Sequence, residues 1–124
     1  MTKDIENRED LYIVVDEFYK KLLKNATLKH FFQKFTQKNE LDHHLQTLVD
    51  FWDNTIFYSG TYQKNAIQPH IELNKKNPFK IIHFQTWLQL FHESVDENFK
   101  GETAEITKNR ATSIATVMQI KIIQ

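Results

Sequence analysis

The stretch His83-Phe84-Gln85-Thr86-Trp87-Leu88-Gln89-Leu90-Phe91 sits inside a longer segment, Phe79 to Phe99, that is apolar around much of a helical circumference. A helix of that character belongs at the centre of a fold. Asn77 and Pro78 immediately before it form a helix start, because asparagine caps and proline is preorganised for the first turn. His83 stands one helical turn before Trp87 and can face the same way.

Working outward, the flanking segments also read as helices. From Arg8 to Lys24 the apolar residues Leu11, Val14, Val15, Phe18, Tyr19 and Leu22 recur at helical spacing. Asn7 can cap that helix, and Lys20, Lys21 and Lys24 suit its C-terminal dipole. Leu28 to Phe35 is short and very aromatic, which predicts a brief helix or turn packed inward. Asn39 offers a cap with Asp42 three residues later, and Leu41, Leu45, Leu48, Trp52 and Ile56 mark a helix from about Glu40 to Phe57. His44 lies on that stripe and His43 off it. Tyr58 to Asn77 has loop signals and little periodicity; Pro69 directly precedes His70, so a helix carrying His70 must be short and begin close to it. From about Thr103 to Ile123, Ala104, Ala111, Ile114, Ala115, Met118 and Ile122 share a face small enough for close approach to the preceding helix. The β-branched residues follow helical spacing, so the chain reads as all-α, a single domain over residues 1–124.

Composition narrows the function classes. With 16 basic and 16 acidic side chains the net charge is zero, so no overall field draws nucleic acid or an anionic membrane. There is no cysteine, which removes thiolate metal sites, cysteine nucleophiles and disulfides together. No apolar run approaches the roughly 18 residues of a membrane span, and Met1 to Asp10 is too polar for a signal peptide. The expectation is a soluble, cytoplasmic protein.

Spacing then tests the chemical readings of an all-α domain with inward histidines. A di-iron bundle needs two Glu-x-x-His pairs on separate helices, and Glu40 with His43 supplies one. His70 and Glu72 make a His-x-Glu, but a zinc deaminase also needs cysteine ligands. A His-Glu-x-x-His peptidase site is missing. What survives is one protein ligand to a prosthetic group that brings its own four donors, and haem is the obvious candidate.

The same residues resemble a known family. From about Asp16 to Met118 the chain is similar to the truncated haemoglobins, in particular their third group. The resemblance is carried by Phe18-Tyr19, Phe32, His44 followed by Phe51-Trp52, Tyr62, His70, and the run from His83 to Phe91, similar to a His-Phe-x-x-Trp-Leu-x-Leu-Phe pattern common in that group. Groups one and two use paired glycines at helix junctions, whereas this chain has only Gly60 and Gly101.

The resemblance implies a two-over-two helical sandwich around haem b, with His70 as proximal iron ligand and Phe32 packing on the haem edge. Tyr19, His44 and Trp87 then form the distal, catalytic side, and Leu48, Trp52 and Tyr62 complete the cofactor contacts. Oxygen on ferrous iron gains negative charge, so phenol, indole or imidazole donors aimed at it slow its release. Each such bond contributes roughly 1 to 3 kcal/mol, and about 1.4 kcal/mol is tenfold in affinity. His83 is the competing ligand if the register is read differently. The chain departs from the family pattern at Gln63 to Gln68, with Pro69 abutting the ligand, and Ile71 to Lys80 reads as a solvated loop whose Lys75, Lys76 or Lys80 can reach a propionate.

Slow release defeats a carrier, so three distal donors favour chemistry on held oxygen, nitric oxide or peroxide over transport. Nitric oxide dioxygenation and peroxide reduction both fit, and carbon monoxide is a further diatomic ligand. Turnover requires a separate reductase. The different-class alternative is a haem-free helical interaction module that keeps the pattern for packing.

Overall fold

The structure is a computed structural model, and it describes residues 2–36, 38–60 and 67–123. Among these residues five helices appear in the order α1 (Arg8–Lys24), α2 (Lys38–Phe57), α3 (Ile67–Lys76), α4 (Ile81–Asn98) and α5 (Glu102–Ile122), with a 3-10 segment, Lys29–Thr36, between α1 and α2. Among the described residues there is no strand. The pair α1 and α2 lies over the pair α4 and α5, joined by contacts of α1 with α4 and of α2 with α5, while α3 touches α5.

Local chemistry accounts for most of these limits. Asn7 accepts the Asp10 N–H at 3.0 Å as N-cap of α1, with Glu9 and Asp10 in the first turn and Lys21 and Lys24 in the last. The buried face of α1 carries Leu11, Val14, Val15, Phe18, Tyr19 and Leu22, the stripe expected of it. Helix α2 begins at Lys38, so Asn39 lies within its first turn instead of capping it. At its other end Tyr58 takes the left-handed conformation, φ 55°, and Asn54 Oδ1 accepts the Gly60 N–H at 2.8 Å.

Two expectations need correction around α3. Ile71 to Lys76 is helix, not loop: Gln68 donates to Glu72 at 3.0 Å, Lys75 pairs with Glu72 at 3.4 Å, and the C-terminal lysines complement the dipole. Pro69 is the third helical residue, where its missing N–H has no helical partner to lose. Helix α4 starts at Ile81, two residues later than its apolar pattern. Phe79 is drawn out of the helix to stack on Phe31, centroids 4.6 Å apart, and Asn74 Oδ1 takes its N–H at 2.8 Å.

Between the two helix pairs lies an aromatic core. Phe91 stacks on Trp52 at 4.8 Å and on Trp87 at 5.8 Å, and Phe18 stands edge-on to both Phe91 and Trp87. Ser94 of α4 and Ala104, Thr107, Ala111 and Ala115 of α5 are all buried and small, which lets these helices approach closely. The N-terminal segment closes the far end. Asp4 accepts the N–H groups of Thr103 and Ala104 at 2.9 and 2.8 Å, so it caps α5 from across the chain. Gly101, φ 151°, leaves room for that carboxylate; a Cβ there would stand 2.4 Å from Asp4 Cγ.

Candidate functional site

Helices α1 and α2 converge on a hydrogen-bonded pair, Tyr19 Oη and His44 Nε2, 2.7 Å apart. Tyr19 is buried, and its ring contacts Phe32 at 5.5 Å, Phe18 at 5.8 Å and the His44 imidazole at 5.2 Å. Burial pushes the Tyr19 phenol far up from its ordinary value, so the hydroxyl keeps its proton. His44 is half-buried on α2, with one ring face on Tyr19.

Trp87 is half-buried on α4 and reaches this pair through Phe18, whose ring lies 5.6 Å from it. Leu48, one turn along α2 from His44, is partly buried against the core. Trp52, two turns along, is fully engaged inside it between Phe51 and Phe91. Tyr62 lies outside the described residues. The structure thus sets Phe32 and His44 each against Tyr19 and leaves Trp87 one ring away.

His70 stands in the first half of α3 with an exposed imidazole, its ring 6.5 Å from Phe79. Phe79 belongs to a cluster with Phe31 and His83 that sequence reasoning did not assemble: Phe31 lies 4.9 Å and His30 5.8 Å from the His83 ring. The density of rings at Phe31-Phe32 and Phe79 was the available signal.

His83 itself is committed elsewhere. Its Nδ1 accepts the Lys80 N–H at 2.9 Å, so the neutral ring carries its proton on Nε2. Burial, with help from His30 and Lys80, pushes its pKa down and favours that neutral form. Iron ligation through Nε2 would require this bond at the start of α4 to break. His92 ties α4 to α5, its Nε2 lying 3.2 Å from both Lys108 O and Thr112 Oγ1.

Comparison with known proteins bears on this arrangement. No family model matches the chain. A group 3 truncated haemoglobin of Campylobacter jejuni is 28% identical over 115 residues, covering 91% of this chain and 88% of the relative. The crystal structure of group III truncated haemoglobin from Campylobacter jejuni superposes with a TM-score of 0.89 at 27% identity, over 98% of this chain and 95% of that one. In sequence and in fold the chain is similar to the group III truncated haemoglobins. Its fold is that of a truncated globin, a two-over-two arrangement built by α1, α2, α4 and α5, and α3 is the short helix that carries His70. Among its described residues no helix is long and apolar enough to cross a membrane.

Proposed function

We propose that this chain, as one domain over residues 1–124, binds haem b through His70 and holds a diatomic gas, oxygen, nitric oxide or carbon monoxide, beside Tyr19, His44 and Trp87. The observation that carries the reading is the bond of the buried Tyr19 hydroxyl to half-buried His44 at 2.7 Å. A phenylalanine at position 19 would fill the same aromatic surroundings without a polar atom to desolvate, so packing alone gives no reason for the hydroxyl.

The residues present fit the group. Haem needs one imidazole from the protein, and His70 offers it from an exposed position on α3, while Phe32 and Leu48 supply apolar surface. When bound, haem supplies the iron on which a diatomic ligand is held. The chain's own part is to direct protons. If His44 Nε2 carries a proton, the Tyr19 oxygen accepts it and the phenol O–H is left to point at the ligand. If Nε2 is bare, the phenol donates to His44 instead. His44 therefore decides whether Tyr19 is available, and the Trp87 indole adds a donor that cannot act as acceptor. Such a set favours holding the ligand for reaction over releasing it, with nitric oxide dioxygenation or peroxide reduction as the reaction classes and a separate electron donor restoring ferrous iron. The absence of cysteine suits a cytosolic setting.

The test is colour. Titrating the purified chain with haemin should give a saturable Soret band at one haem per chain, with ferrous protein shifting on exposure to carbon monoxide. A chain that stays colourless would instead be a helical interaction module on a globin frame.

A further inference from the structure

The zero net charge conceals a strong segregation of sign. Residues 18–39 and 54–92 together hold ten lysines and one carboxylate, Glu72, whereas the remainder holds six basic and fifteen acidic side chains. The fold joins the two lysine-rich segments. Phe31 stacks on Phe79 at 4.6 Å and His30 lies 5.8 Å from His83, which sets the 3-10 segment against the start of α4. The Lys29 N–H donates to Asn25 O at 2.8 Å, which brings the end of α1 to the same place.

Not all of these lysines are free to act. Lys20 and Lys21 are paired with Asp16 and Glu97 at 3.3 and 2.7 Å, and Lys75 with Glu72 at 3.4 Å. Lys24, Lys29, Lys76 and Lys80 are exposed, and among the described residues none has a carboxylate within ion-pair distance. Lys29 adjoins His30 in the chain, Lys76 and Lys80 lie on either side of Phe79, and the Phe79 ring is 6.5 Å from His70.

We infer that this pole is the docking surface for an acidic electron-carrier protein, a reading that rests on His70 marking the haem side of the molecule. A dipolar protein of zero net charge is poorly held by an extended anionic surface, because its acidic side is repelled as its basic pole is attracted. A compact acidic partner meets the pole alone, is oriented by it during encounter, and leaves easily. That combination of orientation and weak hold suits delivery of one electron, in which the carrier is oxidised by one electron and the haem iron reduced by one.

The experiment uses a flavodoxin of strongly negative net charge as probe, titrated into the isotopically labelled full chain with and without haem and followed by amide shifts. Shifts should concentrate at residues 24–30 and 75–83, and raising ionic strength should weaken binding about tenfold or more as the Debye length falls below roughly 8 Å. Lys24→Glu with Lys29→Glu should weaken binding at least about tenfold, while Lys100→Glu with Lys121→Glu on the acidic side should not. Shifts elsewhere, binding unaffected by the first pair, or tighter binding of the same amides to phosphatidylserine vesicles or duplex DNA would overturn the proposal. A chain that forms a Soret band yet ignores flavodoxin refutes the docking surface alone, and one that binds flavodoxin but takes up no haem refutes the haem reading alone.

Discussion

Replacing Tyr19 by Phe removes one oxygen atom from a buried site and leaves the ring contacts to Phe18 and Phe32 in place. The lost bond to His44 is short, 2.7 Å, and a neutral hydrogen bond of this kind contributes about 1 kcal/mol net. His44 is half-buried, so water can reach the nitrogen that loses the phenol, and the penalty stays near the lower end of the roughly 1 to 3 kcal/mol range. The chain should therefore lose about 1 to 1.5 kcal/mol, measured by urea denaturation, or roughly 3 to 6 °C in Tm. Adding His44→Leu should cost less than the two single losses combined, with a coupling of about 1 kcal/mol. Under the proposed function the same hydroxyl would donate to bound oxygen, and losing about 1.4 to 2.8 kcal/mol there should speed oxygen release roughly 10 to 100-fold in stopped flow. Independent stability effects of the two substitutions, with oxygen release changed less than about twofold, would refute the reasoning.

Other perturbations test the frame around the site. Asp4→Ala should cost about 1 kcal/mol through loss of the α5 cap, and Gly101→Ala should cost about 1 to 3 kcal/mol because its Cβ meets the Asp4 carboxylate and φ is left-handed; equal stability to the parent in denaturant would dispose of the cap. Burial pushes the Asp4 carboxyl up, but N–H donors from Thr103, Ala104 and Ile5 together hold it below its ordinary value. Its stabilising effect is thus present above the unfolded value near 3.9 and lost as pH falls through the folded one, and Asp4→Asn should flatten acid unfolding there. His83 has the reverse habit to a salt-bridged histidine: its pKa is pushed down, so stability is full above about 6.5 and declines as pH falls below it. His83→Asn should reduce that slope in a pH series of melts. Tyr58→Gly should raise stability by about 1 kcal/mol, since an 80% exposed side chain gives up little packing to relieve a φ of 55°; a fall in Tm would count against a simple C-terminal cap.

How far these features were legible beforehand depends on the range of the interaction. Helix α1 could be read to its ends because Asn7 and Lys24 act within one turn of them. The start of α4 could not, since Phe79 leaves the helix for Phe31, a partner far away in sequence. The helical run through Ile71 to Lys76 was hidden by its polar composition, although the Gln68–Glu72–Lys75 contacts that hold it are local. Asp4 as the cap of α5 is a contact across about a hundred residues, beyond any local pattern. At the site, the family resemblance named Tyr19 and His44 together, but their mutual bond is a property of the crossing of α1 and α2. The separation of charge was present in the order of the residues and was lost by adding them to zero.

The proposed role of His70 as iron ligand is tested by haem binding of the His70→Gly chain beside His83→Gly. With His70 as ligand, His70→Gly should lose stable haem uptake and recover a Soret band when imidazole is supplied, while His83→Gly should bind haem with the parent's ferrous spectrum. Loss and imidazole rescue at position 83 with haem retained at position 70 would contradict it.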